Sequence, residues 1–232
     1  MRLFKSKMKL FIIPLTALLL ILSFSGCGED VATPQENVDF SYQGSGDSTG
    51  DMIDILDLNE VKILIKDIKL NVASSSEDSV NFKVGPYVLV LNLKSEVNLV
   101  TSAYIPPGNY DKVRFMVHKL GDNETPPDPD FADANGRYSV VAKGTFNGID
   151  FVFKSDKSAH QKLTFPASLF VTASGKSNIT LQVKPYIWFI KNGLYLDPMN
   201  PINTADIDNN IKDNINGNFK IFVDNDRNGK PD

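Results

Sequence analysis

The chain has 232 residues, with 28 acidic against 24 basic and a formal net charge of −4. An acidic balance without a basic patch argues against nucleic acid as a partner, and a single cysteine, Cys27, excludes an internal disulfide. About two hundred residues beyond the first segment are enough to bury a core without staples, which points to one β-rich domain, or to one domain with a small annex.

The chain opens on Arg2, Lys5, Lys7 and Lys9 with no acidic residue among them. Leu10 to Leu22 is apolar, broken only by Pro14 and Thr16. That run is too short for a bilayer core, which needs ~20 apolar residues, but it has the length and flanks of a secretory signal. Phe24-Ser25-Gly26-Cys27 follows and resembles the lipobox of bacterial lipoproteins, with Phe24 where the usual pattern prefers Leu. The resemblance implies cleavage after Gly26, thioether lipidation of Cys27 and acylation of the new amino terminus. It implies an exported, lipid-anchored protein, at the outer membrane on its periplasmic or surface face. The alternative is an ordinary signal peptide with an incidental cysteine. All acidic residues and all but four basic ones lie beyond residue 26. The acyl chains on Cys27 would therefore hold the membrane, rather than attraction to anionic lipid. Residues 1–26 read as the signal peptide and 27–37 as a polar tether. Glu29-Asp30 resembles the acidic export signal some surface lipoproteins carry behind the cysteine, or is a plain solvated linker.

Val38 to Tyr42 alternates as a first strand. The loop after it holds Gly46-Asp47-Ser48-Thr49-Gly50, a formal match to a hydrolase nucleophile pattern. That motif needs a strand-to-helix elbow in an α/β sheet, and these Gly/Ser-rich surroundings favour a plain loop over a catalytic Ser48. Val61, Ile63 and Ile65 share one strand face, and Ile68, Leu70 and Val72 continue at even numbers. A period-two strand cannot slip phase without turning its apolar face outward, so a bulge or bend is expected near Lys66-Asp67. Tyr87 to Leu93 is apolar on both faces and reads as a covered inner strand. Ile105 to Tyr110 is a turn cluster. Val113, Phe115 and Val117 then face one way, with Lys112, Arg114, Met116 and His118 on a solvated face.

Gly121 to Gly136 is long, acidic and proline-rich, a candidate binding loop on one rim or a floppy excursion. Asn147-Gly148 marks a two-residue hairpin pairing 146 with 149, 144 with 151 and 142 with 153. Tyr138, Val140, Ala142, Gly144 and Phe146 then share a face with Ile149, Phe151 and Phe153. Leu163 to Val171 and Ile179 to Val183 alternate as further strands, with Pro185 at an edge or bulge. Tyr186-Ile187-Trp188-Phe189-Ile190 is either core packing or an exposed aromatic patch able to stack on sugars. Ile207, Ile211 and Ile215 predict a helix, with Asn203 or Thr204 as N-cap and Gly217 as stop. Phe219, Ile221 and Val223 predict a last strand.

The sharpest motif is Asp224-Asn225-Asp226-Arg227-Asn228-Gly229-Lys230-Pro231-Asp232. Alternate oxygen ligands followed by a turning glycine are how a loop wraps calcium. It resembles the Asp-x-Asp-x-Asn-Gly-x-x-Asp loops of calcium-binding repeats. The resemblance implies side-chain oxygens from Asp224, Asp226, Asn228 and Asp232, and a carbonyl from Lys230. There is one copy, and the sequence stops before the bidentate glutamate of an EF-hand; the alternative is a polar tail of turn residues. His118 and His160 are the only histidines, too few alone for a zinc site.

Three segments, Glu60 to Ile68, Tyr87 to Leu93 and Ile105 to Phe115, resemble bacterial lipoprotein sandwich domains of unknown function over residues 38–190. The Pro-x-Gly-x-Tyr turn before a strand also resembles the methanobactin-associated copper-binding proteins. Their further characteristic segments are missing here, so copper is not carried over to Trp188 or the histidines. The expected fold is an all-β, antiparallel sandwich (Ig- or prealbumin-like) over 38–196, with 197–232 adding one short C-terminal helix, a strand and the calcium-like loop. The expected function is a non-catalytic, lipid-anchored binding or structural module of the cell envelope, with an envelope protein or glycan as partner. The alternatives are a calcium- or copper-binding lipoprotein and an envelope hydrolase using Ser48 or rim carboxylates.

Overall fold

The computed structural model describes residues 34–44, 55–74, 79–91, 93 and 96–232. Cys27, the signal segment and the Ser48 pattern lie outside the described residues. In chain order the strands are β1 (Val38–Gly44), β2 (Leu56–Val72), β3 (Ser79–Leu91), β4 (Val97–Ala103), β5 (Gly108–Val117), β6 (Ala132–Asp133), β7 (Gly136–Arg137), β8 (Val140–Phe146) and β9 (Ile149–Ser155). They continue as β10 (Ala159–Val171), β11 (Ser177–Val183), β12 (Ile190–Lys191), β13 (Leu194–Tyr195) and, after helix α1 (Thr204–Gly217), β14 (Lys220–Val223).

The fold is all-β and sandwich-like, with one short C-terminal helix. One sheet has the order β14-β11-β1-β4; the larger runs β10-β5-β2-β8-β9, with β3 also on β2. Apolar side chains of both sheets share a single core, Val38, Phe40, Ile179 and Leu181 from the smaller, Ile63, Ile68, Val113 and Ala142 from the larger. The ladders are antiparallel except one: β1 and β11 run parallel, Val38 opposite Ser177 through Gly44 opposite Val183.

Strand β2 is the spine. β3 lines it from Val61 to Asn71, β8 from Leu56 to Ile63, and β5 from Ile65 to Val72. The expected phase slip is there: both the β3 and the β5 ladders shift register after Ile65. Val61, Ile63, Ile65, Ile68 and Leu70 are all fully buried, so the bulge keeps every one of them on the core side. It also falls where β8 gives way to β5 along β2, with Leu64 bonded to both flanking segments (N–H to Ser139 O, 2.8 Å; O from His118 N–H, 3.3 Å).

The β8–β9 hairpin has the expected register, with Phe146 opposite Ile149, Gly144 opposite Phe151 and Ala142 opposite Phe153. Asn147 and Gly148 take φ of 50° and 76°, as a two-residue turn of this hand requires. Ile149, however, is 59% exposed at the hairpin end, and Tyr138 lies before the strand and turns to the opposite face. Gly144 is small for a reason the sequence hid: a Cβ there would run into the backbone carbonyl of Asp57 on β2.

Two other expectations are corrected, and for the aromatic run one of the two alternatives is decided. Among the described residues β3 pairs with β2 alone, as an edge strand rather than a covered inner one, and Val90 is exposed on it. Pro185–Phe189 is a 3-10 turn; Trp188 and Phe189 are fully buried, and Phe189 packs edge-on against Phe151 and Phe153. The aromatic run is therefore core, not a sugar-stacking surface. The acidic loop is neither a floppy excursion nor a free rim. It straps the outer face of the large sheet, with Phe131 buried beside Leu64, Leu120 and Val141 in a second small cluster. Its carboxylates pin sheet lysines: Lys62 to Asp128 (2.8 Å) and Asp130 (2.7 Å), Lys143 to Asp130 (2.6 Å), and Lys154 to Asp133 (2.7 Å). Arg137 holds the carbonyls of Asp122 and Glu124 at 2.7 and 2.6 Å.

Helix α1 buries Ile207, Ile211 and Ile215 completely, as their four-residue spacing predicts. Asn203 is its N-cap, following a 3-10 turn, and the helix runs through Gly217 to a C-cap at Asn218. Phe219 behind it stacks on Phe115 of β5, with ring centroids 6.0 Å apart. The chain then returns as β14 against β11, so the C-terminal segment belongs to the smaller sheet. At the other end Asn37, the last tether residue, is already buried. Its amide donates to Ile105 O and Thr172 O, both at 2.9 Å.

Candidate metal centre

The last strand delivers the nine-residue loop to the middle of the smaller sheet. Asp224 follows β14 directly, is fully buried, and donates its N–H to Asn178 O at 3.0 Å. Its carboxylate accepts from Thr180 Oγ1 at 2.8 Å and from the Gly229 N–H at 3.2 Å. Asn178 completes the seat: its amide donates to Asp224 O (2.8 Å) and to Thr180 Oγ1 (3.1 Å), and accepts from Ser41 Oγ (2.6 Å). One buried side of the loop is thus held by neighbouring polar residues of β1 and β11.

The loop then turns by local rules. Asn228 N–H donates to Asp226 Oδ1 (3.1 Å) and Lys230 N–H to Asn228 Oδ1 (2.8 Å), each a side chain capping the backbone two residues on. Gly229 has φ of 79°, in the left-handed region, and a Cβ there would collide with the Gln43 amide. The left-handed backbone favours glycine at this sixth position of the loop, where a calcium loop turns sharply. Asp232 closes the ring: its carboxylate accepts from Asn225 N–H (2.9 Å) and Asn225 Nδ2 (2.7 Å), and its N–H donates to Val223 O (3.1 Å).

The outcome is a convergence of carboxylates. Asp224, Asp226 and Asp232 each present an oxygen within 4.8 Å of the others, one from the buried side and two from exposed positions. Two like charges about 4 Å apart repel by roughly 1 to 4 kcal/mol between bulk water and a protein surface. The nearby cation does not relieve this, because Arg227 turns away to the buried Asp39. A hard divalent cation with oxygen ligands fits such a set. Of the five expected ligands the three carboxylates converge. Asn228 turns its amide to Asp226 (2.7 Å) and its oxygen to Lys230 N–H.

Among the described residues this is the one group of three metal-competent side chains so close together. His118 and His160 do not join it. His160 is on β10 and exposed, and His118 follows the end of the neighbouring β5, its Nδ1 2.9 Å from Ser158 Oγ. Burial, helped by Lys66 and His160, depresses the His118 pKa. Trp188, the other residue of the copper resemblance, is fully buried, its carbonyl accepting from the Asn210 amide. Sequence reasoning missed Asp39, only 1% exposed, which joins Ser102, Lys176 and Arg227 across the smaller sheet. An isolated aspartate in an alternating strand reads as outward-facing, and nothing local marks its partners.

No family model, curated protein or solved structure matches this chain.

Proposed function

We propose that this chain is a lipid-anchored, non-catalytic module of the cell envelope, exported by residues 1–26 and held by acyl chains on Cys27. The observation that supports this is the order of the first 27 residues: four cations, a short apolar run, small residues, then the only cysteine. Mass spectrometry of the amino-terminal peptide tests it. A diacylglyceryl thioether on Cys27 with an acylated amine is expected, and Cys27→Ala should move the protein to the soluble fraction. A free thiol on a secreted chain overturns the reading.

A second reading, calcium binding by the C-terminal loop, is favoured by the convergence of Asp224, Asp226 and Asp232. The ion would act as a staple, fastening the end of the chain to the smaller sheet, since Asp224 is already seated on Thr180. A ligand that binds only the folded state stabilises it by about 2.7 kcal/mol at one hundred times its Kd. Millimolar calcium should raise the melting temperature of the protein relative to chelator. A midpoint that calcium leaves unmoved sinks this second reading and leaves the first untouched.

A further inference from the structure

Strand β14 ends the smaller sheet as β10 ends the larger one. Its pairing with β11 leaves one set of main-chain groups pointing outward, and two bonds set the phase. Ser177 N–H donates to Asn37 O at 2.9 Å, which turns the odd-numbered residues of β11 towards β1. Asp224 N–H donates to Asn178 O at 3.0 Å, so the even-numbered residues of β11 and β14 bond to each other, Phe222 opposite Thr180 and Lys220 opposite Gln182. Antiparallel partners alternate between bonded and non-bonded pairs. Ile221, opposite Leu181, is in a non-bonded pair, and its N–H and carbonyl face away from β11. Val223 shares that outward phase, and its carbonyl accepts from Asp232 N–H at 3.1 Å. Among the described residues nothing meets the Ile221 main-chain groups on that side.

This edge opens into a cleft of about 520 Å³. Ile221 lines it, although its side chain is in the core and the residue is only 2% exposed. A main-chain donor and acceptor in so sheltered a place are costly to leave without partners. Leu163 and Pro166 of β10 line the cleft too, where the β10–β5 ladder shifts register between Thr164 and Leu169. Lys220 and Lys230 are its charged lining residues. Both are exposed, and neither holds an ion pair among the described residues. No carboxylate lines the cleft; Asp224, Asp226 and Asp232 lie outside its walls.

We infer that this cleft takes up an extended, acidic peptide segment of a partner protein, which adds to β14 as the next strand of the smaller sheet. Main-chain bonds to Ile221 would set its register, as in strand addition at other exposed sheet edges. The flexible lysine stems let both ammonium groups reach carboxylates of the incoming segment. Leu163 and Pro166 offer apolar contact to the side chains between them. β14 is four residues long, so a segment of similar length suffices. A second copy of this chain is a poorer occupant, because lysine at a sheet edge opposes pairing with another β14. The site depends neither on the Cys27 anchor nor on an ion in the C-terminal loop.

The experiment uses the full chain in mild detergent. It is panned against a displayed library of short random peptides, and the enriched sequences are synthesised. Fluorescence anisotropy then measures their binding to the wild type, to Lys220→Gln/Lys230→Gln, and to Lys212→Gln, a cation on α1 outside the cleft. The enriched peptides should be acidic. They should bind the wild type and Lys212→Gln alike, and roughly fivefold more weakly to the double variant. Both lysines are exposed, so the double variant should melt with the wild type. Two further measurements need the wild type alone. Methylating the peptide nitrogens at alternate residues should abolish binding in one phase and spare it in the other, since only alternate N–H groups bond across a strand pair. In the complex the Ile221 amide should exchange more slowly, while that of Phe222, already paired with Thr180, stays as it was. Failure to enrich any acidic peptide, equal binding to the double variant, or equal loss in both methylation phases overturns the inference. So does a concentration-dependent dimer that protects the Ile221 amide without peptide, which would give the edge to a second copy.

Discussion

Thr180 Oγ1 donates to Asp224 Oδ2 at 2.8 Å, and neither residue has any surface in contact with solvent. The carboxylate is otherwise held by the Gly229 N–H, so neutral donors alone satisfy it. Asp224→Ala would leave a buried hydroxyl and a buried amide without an acceptor. Each such orphan costs about 1 to 3 kcal/mol. A loss of roughly 2 to 4 kcal/mol in urea-induced unfolding is expected in chelator.

Asp226 and Asp232 divide the labour differently. Both are exposed, and their hydrogen bonds run within the loop. Asp226→Asn should change metal-free stability by no more than ~0.5 kcal/mol, as surface substitutions usually do. It should nevertheless abolish any calcium-induced rise in melting temperature. Paired melts of wild type and variant, in calcium and in chelator, measure the architectural and the ligating contributions separately.

Gly144 touches the backbone of Asp57 at the point where the β2–β8 ladder shifts register between Leu58 and Glu60. Gly144→Ala would have to push two paired strands apart. Overpacking of this kind costs typically about 1 to 3 kcal/mol. The β8–β9 turn lies outside the contact, so Gly148→Ala should act by another route, through its φ of 76°. Chemical denaturation of the two variants, alone and combined, should show nearly additive losses, because the sites share no partner.

Local chemistry explains what could be read in advance. The Asn147-Gly148 turn fixed one register, and the slip from Ile65 to Ile68 located the bulge, because each signal is written in a few adjacent residues. The isoleucines of α1 carried the helix in the same way. The loop ligands Asp224, Asp226 and Asp232 were legible from spacing, but the seat on Asn178 and Thr180 was not. That seat depends on β14 joining β11 some forty residues earlier in the chain, a pairing no local pattern encodes. The acidic loop was misread for a related reason. Proline and aspartate favour disorder in isolation, and only the fold shows the lysines of β2, β8 and β9 waiting beneath it.

The strap should respond to acid. Lys143 and Lys62 hold the Asp130 carboxyl below its ordinary range. Burial works against ionisation of Asp128, but the Lys62 ammonium and the Asp130 N–H lower it overall. Lys154, with the Asn135 N–H, holds Asp133 down to about 2. A carboxylate with a depressed folded-state pKa contributes stability that is complete above its unfolded value of about 3.9 and lost as pH falls through the folded one. Amide exchange over residues 121–139, corrected for intrinsic rate, should therefore stay slow from neutral pH to about 4 and quicken between about 4 and 2. Lys62→Met should raise the lower edge of that window, because it lifts the folded-state pKa of Asp128 and Asp130 towards the unfolded value, and cost roughly 1 to 2 kcal/mol, between an exposed and a buried pair.

Asp39 and Arg227 provide the long-range counterpart of that strap. Asp39 lies on β1, nearly buried, and burial alone would favour its neutral form. The Ser102 hydroxyl (2.6 Å) and the Lys176 ammonium (3.1 Å), with Arg227, instead hold its carboxyl below the usual range. The two cations are about half exposed, so they retain water when the carboxylate is removed, and the loss stays below that of a fully buried pair. Asp39→Ala should cost roughly 1 to 3 kcal/mol, fully expressed above pH 4 and vanishing in acid as the wild-type carboxylate protonates. Arg227→Ala leaves Ser102 and Lys176 in place and should cost less than ~1 kcal/mol. It also removes a tie between the C-terminal loop and the far side of β1. Amide exchange over residues 224–232 should then quicken in Arg227→Ala well beyond what its small change in global stability allows. That is the signature of local opening rather than global unfolding. Equal exchange rates in variant and wild type would mean that Asp224 on Thr180 holds the loop without help.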